Sequence, residues 1–201
     1  MKKIILLSCM VLASVCCMAQ NAKEALKVLD KTAAIVGRNG GAYAGFSISG
    51  SKLGATNGTI AIKGNKFYAH TPQATVWFNG KTQWAYMKAT NEVNVTTPSE
   101  AKQVQMNPYK FITLYKSGYS LTSKKQGNAY QIHMVAQDKK RSIQELYITI
   151  GKNYIPSQVK MRQGTNWTTI NITNFKAKNQ SDAVFTFNAK EFPKAEVIDL
   201  R

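Results

Sequence analysis

Residues 76–87 read VWFNGKTQWAYM, and this stretch decides the predicted fold. Asn79-Gly80 stands between two runs rich in aromatic residues, which is the strongest short-range signal of a β-hairpin. A two-residue type I′ turn needs positive φ at both central positions, and asparagine and glycine adopt such angles readily. Side chains alternate along a strand, so Trp84 and Tyr86 share one face, whereas Trp77 points away from its own neighbours. Because both faces carry large apolar groups, either both are covered or one lines a cavity.

The chain begins with a segment typical of secretory signal peptides. A short basic start and an apolar run lead to a small residue, so we expect residues 1–19 to be a signal peptide cleaved after Ala19 and residues 20–201 to form a single domain. The run is too short and too interrupted for a good membrane span. The alternative is a lipid anchor on Cys16 or Cys17, although neither follows the Gly, Ala or Ser of a lipobox.

Composition assigns the stability of the fold to a hydrophobic core rather than to disulfide bonds. The chain has 201 residues and 3 cysteines, and all of these cysteines precede residue 20. The remaining part of about 180 residues is large enough for one domain with its own core.

The chain is strongly basic, with a formal net charge of +17 that falls by two without Lys2 and Lys3 of the leader. We interpret this charge as a lysine-rich surface, because the lysines are spread over every segment. The alternative is an anionic partner such as a membrane or an acidic protein. Nucleic acid is disfavoured, since the chain is predicted to be exported and shows no binding motif.

Periodicity predicts an α+β protein that is mainly β. Residues 21–37 form an amphipathic helix, with Asn21 and Glu24 as a capping box and Gly37 at the end. From residue 42 the period changes to two, and we expect an antiparallel meander of about 11–12 strands whose last strand covers residues 183–187. Two short helices interrupt the meander between residues 98 and 116, the second of them capped by Asn107. Helices in this position would plug or cover the sheet.

The sequence contains no recognisable active site. His70 and His133 are the only histidines, and neither belongs to a metal-binding motif. No Gly-x-Ser-x-Gly elbow or phosphate loop is present, so we expect no enzyme activity, no metal and no cofactor. A lipid hydrolase on this scaffold would need one of the two histidines as its base. Asp199 is interpreted as one partner of a surface ion pair.

Five pieces of sequence in this order resemble the LolA family of periplasmic carriers of outer-membrane lipoproteins. Residues 77–86, WFNGKTQWAY, are similar to the family's Asp-Gly-Lys-Thr-x-Trp-x-Tyr hairpin, and Asn-Glu-Val follows at residues 91–93. Residues 107–109, Asn-Pro-Tyr, look like the start of the family's lid helix. Residues 184–187, Val-Phe-Thr-Phe, look like its Phe-x-Phe ending, and the chain closes with Ile-Asp-Leu-Arg at residues 198–201.

This resemblance implies an incomplete antiparallel β-barrel with a short-helix lid over an apolar cavity. It also implies a monomeric periplasmic carrier that takes lipoproteins by their acyl chains from an inner-membrane release complex to an outer-membrane acceptor. The family's best-known carriers hold the lid with an arginine after the strand matching residues 60–63. That position is Gly64 here, with Lys63 and Lys66 as the nearest cations.

Two interpretations of the apolar positions remain open, because a solid core has the same periodicity as a cavity. The residues expected to line a cavity are Phe46, Ile48, Ile60, Ile62, Trp84, Tyr86, Ile132 and Met134, and the expected lid residues are Leu26, Leu29, Phe111 and Leu114. Besides lipoprotein acyl chains, such a cavity could hold another apolar ligand, such as a free lipid, a glycolipid or a pigment precursor.

Overall fold

The structure, a computed structural model, describes residues 20–50, 54–99, 102–103 and 108–201. The predicted signal peptide, the alternative lipid anchor and the cap at Asn107 lie outside these residues. Within them, no helix is long and apolar enough to cross a membrane.

Twelve strands of the described residues form one sheet, in the order β12-β6-β5-β4-β3-β2-β1-β11-β10-β9-β8-β7. Neighbours are antiparallel except for β12, which runs parallel to β6. The edge strands β12 and β7 do not pair, so the sheet stays open and confirms the predicted incomplete barrel. The bounds are β1 Ala42–Gly50, β2 Gly54–Lys63, β3 Lys66–His70, β4 Ala74–Phe78, β5 Gln83–Met87, β6 Glu92–Thr96, β7 Tyr119–Gln126, β8 Ala129–Ala136, β9 Glu145–Gly151, β10 Pro156–Gln163, β11 Asn166–Ala177 and β12 Glu196–Asp199.

In the described part of the chain, two helices lie over one face of the sheet. Helix α1 covers residues 20–36, and α2 covers Pro108–Thr113 and continues as a 3₁₀ turn, Leu114–Lys116. The predicted capping box is wrong, because residue 20 is already helical and the Glu24 carboxylate instead accepts a hydrogen bond from Ser123 Oγ at 2.9 Å. Gly37 closes α1 as predicted, with its N–H donating to the Ala33 carbonyl at 2.8 Å.

The core between helices and sheet has two parts. The first joins the N-terminal half of α1 and Phe111 to strands β7–β10, and its members include Leu29, Ile132 and Met134. The second joins the C-terminal half of α1 to strands β1–β4, and it includes Val36. Both parts follow from the apolar stripe of α1, whose buried residues recur at helical spacing.

The hairpin of β4 and β5 forms as predicted, but its turn is centred one residue later. Asn79 Oδ1 accepts the backbone N–H groups of Lys81 at 3.0 Å and Thr82 at 2.8 Å. The central residues are therefore Gly80 and Lys81, and Gly80 alone of these residues has positive φ, at 99°. The Asn79 side chain accepts hydrogen bonds from the turn instead of occupying a central turn position. The Asn-Gly pair alone does not distinguish this role from a central position of a type I′ turn.

The C-terminal segment, which comprises residues 178–201 after β11, differs from the prediction. Residues 182–185 form a 3₁₀ helix, Asp182–Phe185, and not the strand expected over residues 183–187. The final strand is instead β12. Phe185 is fully buried, while Phe187 and Phe192 contact Trp77 on the face of the sheet opposite the helices. Both faces of the aromatic hairpin are therefore covered. The core beneath the helices covers one face, and the C-terminal segment covers the other.

Candidate ligand-binding site

A cavity of about 180 Å³ lies between the sheet and the helices. Among the described residues, no charged residue lines it, and Tyr43, the one lining residue with a hydroxyl, directs its side chain to the opposite face of β1. The lining residues are Val36, Ala42, Tyr43, Ala44, Gly45, Phe46, Ile48, Ile60, Ile62, Ala69, Phe111, Ile112, Pro156, Val159, Ile170, Ile172 and Phe175. Such a surface offers nothing to a polar head group and favours hydrocarbon.

Strand alternation brings these residues together. On β1 the side chains that face the helices are small at Ala42 and Ala44 and large at Phe46 and Ile48. The small pair leaves room beneath Val36 of α1, which closes this end. Phe46 and Ile48 are only half-buried, so the cavity opens to solvent on their side.

Gly58 of β2 determines how Phe46 is placed. The two residues pair across β1 and β2, and a Cβ atom at residue 58 would lie 2.9 Å from Phe46 Cζ. The ring of Phe46 therefore occupies the space that a side chain on β2 would take.

Four of the eight residues expected to line a cavity do so: Phe46, Ile48, Ile60 and Ile62. The structure places Ile132 and Met134 elsewhere, fully buried against α1 in the first part of the core. Both residues belong to β8, which packs against the N-terminal half of α1.

Trp84 and Tyr86 lie on the opposite face of the sheet. Trp84 pairs with Trp77 across the hairpin, and the Trp77 ring contacts Phe187 and Phe192 at 5.4 and 5.5 Å. The ring of Tyr86 is 4.7 Å from that of Phe192. The C-terminal segment contacts Trp77 and Tyr86 on this face, and neither Trp84 nor Tyr86 lines the cavity.

Of the four expected lid residues, Phe111 lines the cavity. Leu29 is fully buried in the first part of the core, and Leu114 packs against it. Leu26 is 40% exposed and points away from the sheet. The lid surface over the cavity is instead made by Val36, Phe111 and Ile112.

Sequence reasoning missed the contribution of β11 and β10. Ile170 and Ile172 alternate as expected for one face of a strand, but nothing in the sequence says that β11 lies beside β1. Pro156 and Val159 reach the cavity only through that pairing. Alternation along β11 indicates that Ile170 and Ile172 share a face, but it does not identify the neighbouring strand.

The cations near Gly64 bind the C-terminal segment. Lys63 Nζ and Lys66 Nζ lie 3.0 and 3.1 Å from Asp182 Oδ1, and their hydrogen bonds lower the pKa of Asp182. Lys63 Nζ also donates to the Gln180 carbonyl at 3.2 Å. The lid has a different polar link, a hydrogen bond from the Tyr115 hydroxyl to Asp30 of α1.

Neither histidine reaches the cavity. His70 Nδ1 lies 2.9 Å from Thr75 Oγ1, and His133 Nε2 lies 2.9 Å from Glu145 Oε1 on the outer face. No group of three metal-binding side chains occurs in the part of the chain that the structure describes. The remaining chemistry of the cavity is apolar contact.

Residues 15–165 match the model of a family described as outer membrane lipoprotein carrier protein LolA. The chain belongs to the LolA family. Members of this family are carrier proteins, and the match covers most of the chain, including the hairpin, α2 and strands β1–β10. Among curated proteins, none matches the sequence.

Solved structures of two proteins with distant sequences share this fold, and a third is similar to a lesser degree. An uncharacterized conserved protein from Thermus thermophilus is 13% identical, with a TM-score of 0.57 over 89% of this chain and 98% of its own. MucB is 9% identical, with a TM-score of 0.51 over 83% of this chain and 64% of its own. A LolA superfamily protein from Nitrosomonas europaea is 10% identical, with a TM-score of 0.46 over 81% of this chain and 97% of its own.

Proposed function

We propose that this protein is a periplasmic carrier that shields the acyl chains of lipoproteins between the inner and the outer membrane. The observation that carries the proposal is the wholly apolar cavity under a helical lid, in a chain of the LolA family. A lipoprotein cannot cross water unaided, because each exposed methylene group costs about 0.8 kcal/mol. The partners would be an inner-membrane release complex and an outer-membrane acceptor, and the carrier would act as a monomer.

Loading requires the lid to move. The cavity of about 180 Å³ is close to the size of a roughly 150 Å³ cavity that holds benzene, and an acyl chain is much larger. Apart from the side that is open to solvent, the inner surface would expand if Val36, Phe111 and Ile112 moved away from the sheet. The sequence contains no nucleotide-binding motif, so release would run downhill to an acceptor with higher affinity.

The second candidate is a binding protein for another apolar ligand, such as a free lipid or a glycolipid. The uncharged lining favours it, because nothing in the cavity selects one head group over another. Both candidates are non-enzymatic, and the positions of His70 and His133 outside the cavity support that part of the proposal.

The experiment is native mass spectrometry with lipid extraction on protein purified from the periplasm of its own host. A bound diacylated or triacylated polypeptide is expected. A free lipid would favour the second candidate, and the absence of any ligand would count against both.

A cavity-filling variant links the ligand to the site. Ala44→Phe should lower the binding of a fluorescent apolar probe by about tenfold, because the new ring occupies the space beneath Val36. Val135→Phe is the matched control, since Val135 is 39% exposed and lies outside the cavity. Equal probe binding by both variants would place the ligand elsewhere.

A further inference from the structure

A basic face runs along α1 and onto two neighbouring turns. We define it as Lys23, Lys27 and Lys31 of α1, Lys125 in β7 and Lys152 in the β9–β10 turn, all of which are exposed. The three helical lysines recur every four residues, so they form one stripe on the side of α1 that faces away from the sheet.

Contacts between the elements make this face continuous. Lys125 Nζ lies 3.5 Å from Glu24 Oε1 of α1. Lys31 Nζ donates to the Tyr154 hydroxyl at 3.1 Å and lies 4.4 Å from the centre of that ring. Tyr154 in turn stacks on Tyr130 of β8, with the ring centres 6.4 Å apart. The helix, the β7–β8 turn and the β9–β10 turn therefore present a single surface.

A cleft of about 180 Å³ lies in this surface, separate from the apolar cavity. It is lined by Lys125, Gly127, Asn128, Ala129, Tyr130 and Lys152. Its lining includes two lysines and an asparagine, of which Lys125 also pairs with Glu24, and none of the lining residues carries a carboxylate. The cleft therefore has the charge and the donors for one phosphate group.

Two carboxylates lie beside the basic face, and both already have partners. Glu24 is bound to Ser123 and Lys125, and Asp30 accepts a hydrogen bond from Tyr115. Among the described residues, Lys23, Lys27 and Lys152 have no protein ion pair. Their charge is available to an external anion.

The geometry points to a docking surface for an anionic phospholipid bilayer, with one lipid phosphate in the cleft and neighbouring head groups along the lysine stripe. Exposed lysines bind anionic bilayers additively, whereas protein interfaces are depleted in lysine and enriched in arginine and aromatic residues. The strongly positive net charge, which is +17 − 2 = +15 without the predicted leader, agrees with this choice of partner. The inference does not depend on the ligand of the apolar cavity.

Vesicle flotation tests it with the purified protein. At low salt the protein should bind vesicles of phosphatidylcholine and phosphatidylglycerol and not those of phosphatidylcholine alone. Lys23→Gln, Lys27→Gln and Lys152→Gln together should lower the partition coefficient by about tenfold or more. Raising the salt from about 10 mM to about 0.15 M should weaken wild-type binding, because screening shortens the range of the attraction.

The matched control removes the same charge elsewhere. Lys88→Gln, Lys190→Gln and Lys194→Gln are exposed and lie in the β5–β6 turn and the C-terminal segment, at the opposite edge of the sheet. This control should change the partition coefficient by less than about twofold, and circular dichroism should show that both variants fold.

Equal losses in the two variants would overturn the proposal, because net charge alone would then explain binding. Failure to bind phosphatidylglycerol would also overturn it. A third contrary result would be that the wild type binds polyglutamate but not vesicles, and that the basic-face variant does not bind polyglutamate. That result would make the partner an acidic protein.

Discussion

Gly58 shows how the absence of one side chain shapes the site. A Cβ atom there would lie 2.1 Å from the His70 carbonyl oxygen, which belongs to the backbone and cannot easily move. Gly58→Ala should therefore lower the free energy of unfolding by about 1–3 kcal/mol and displace the Phe46 ring. Urea denaturation measures the first effect and probe binding the second. Ala55→Ser, at an exposed position of the same strand, should stay within about 0.5 kcal/mol of the wild type.

Glu145 makes the free energy of unfolding depend on pH. Burial raises the pKa of Glu145, but hydrogen bonds with His133, Arg162 and Tyr147 outweigh burial and hold the pKa below its ordinary value of 4.5. The carboxylate therefore stabilises the fold above about pH 4.5, and this contribution is lost as pH falls through the lower folded-state pKa. Glu145→Gln should lose less stability than the wild type between about pH 5 and pH 3. Urea titrations of both proteins across this pH range measure the free energy of unfolding. An equal loss in the wild type and in Glu145→Gln would contradict the role of Glu145.

The C-terminal segment acts as a structural element of the outer face. Phe192→Ala would remove a ring that contacts Trp77 and Tyr86, and we expect a loss of about 2 kcal/mol with a red shift of tryptophan fluorescence. Leu200→Ala is the control, because Leu200 is 61% exposed. An unchanged melting temperature in Phe192→Ala would mean that the segment adds no stability.

The C-terminal segment also shows which contacts could not be predicted from the sequence. Periodicity gave α1, the hairpin and most strands, because these depend on local spacing. It assigned Tyr86 to the cavity, although Phe192, whose ring contacts Tyr86 on the opposite face, lies over a hundred positions later in the sequence. The lining at Phe46 and Ile60 followed from alternation along β1 and β2. The lining at Ile170 required the pairing of β1 with β11, for which local spacing has no signal.

At the scale of the whole molecule, β11 joins two parts of the sheet, which we call its wings: strands β1–β6 with β12, and strands β7–β10. Strands β1–β6 and β7–β10 are contiguous in sequence, and β11 connects them by pairing with β1 and β10. A fragment of residues 20–165 should therefore fail to fold, although the family match ends there. A fragment of residues 20–195 keeps β11 and should fold with reduced stability. Cooperative thermal unfolding, followed by circular dichroism, distinguishes these outcomes, and a cooperative transition in the shorter fragment would contradict the role of β11.

The seam between β1 and β11 also borders the cavity, since Phe46 and Ile48 line it from one strand and Ile170 and Ile172 from the other. The seam is the contact of longest sequence separation in the sheet, so closing it demands the largest loss of chain entropy during folding. A ligand in the cavity touches both wings and has no such site in the unfolded chain. A ligand bound in the cavity would therefore hold β1 and β11 together, and we expect the loaded protein to be more stable against unfolding than the unloaded one.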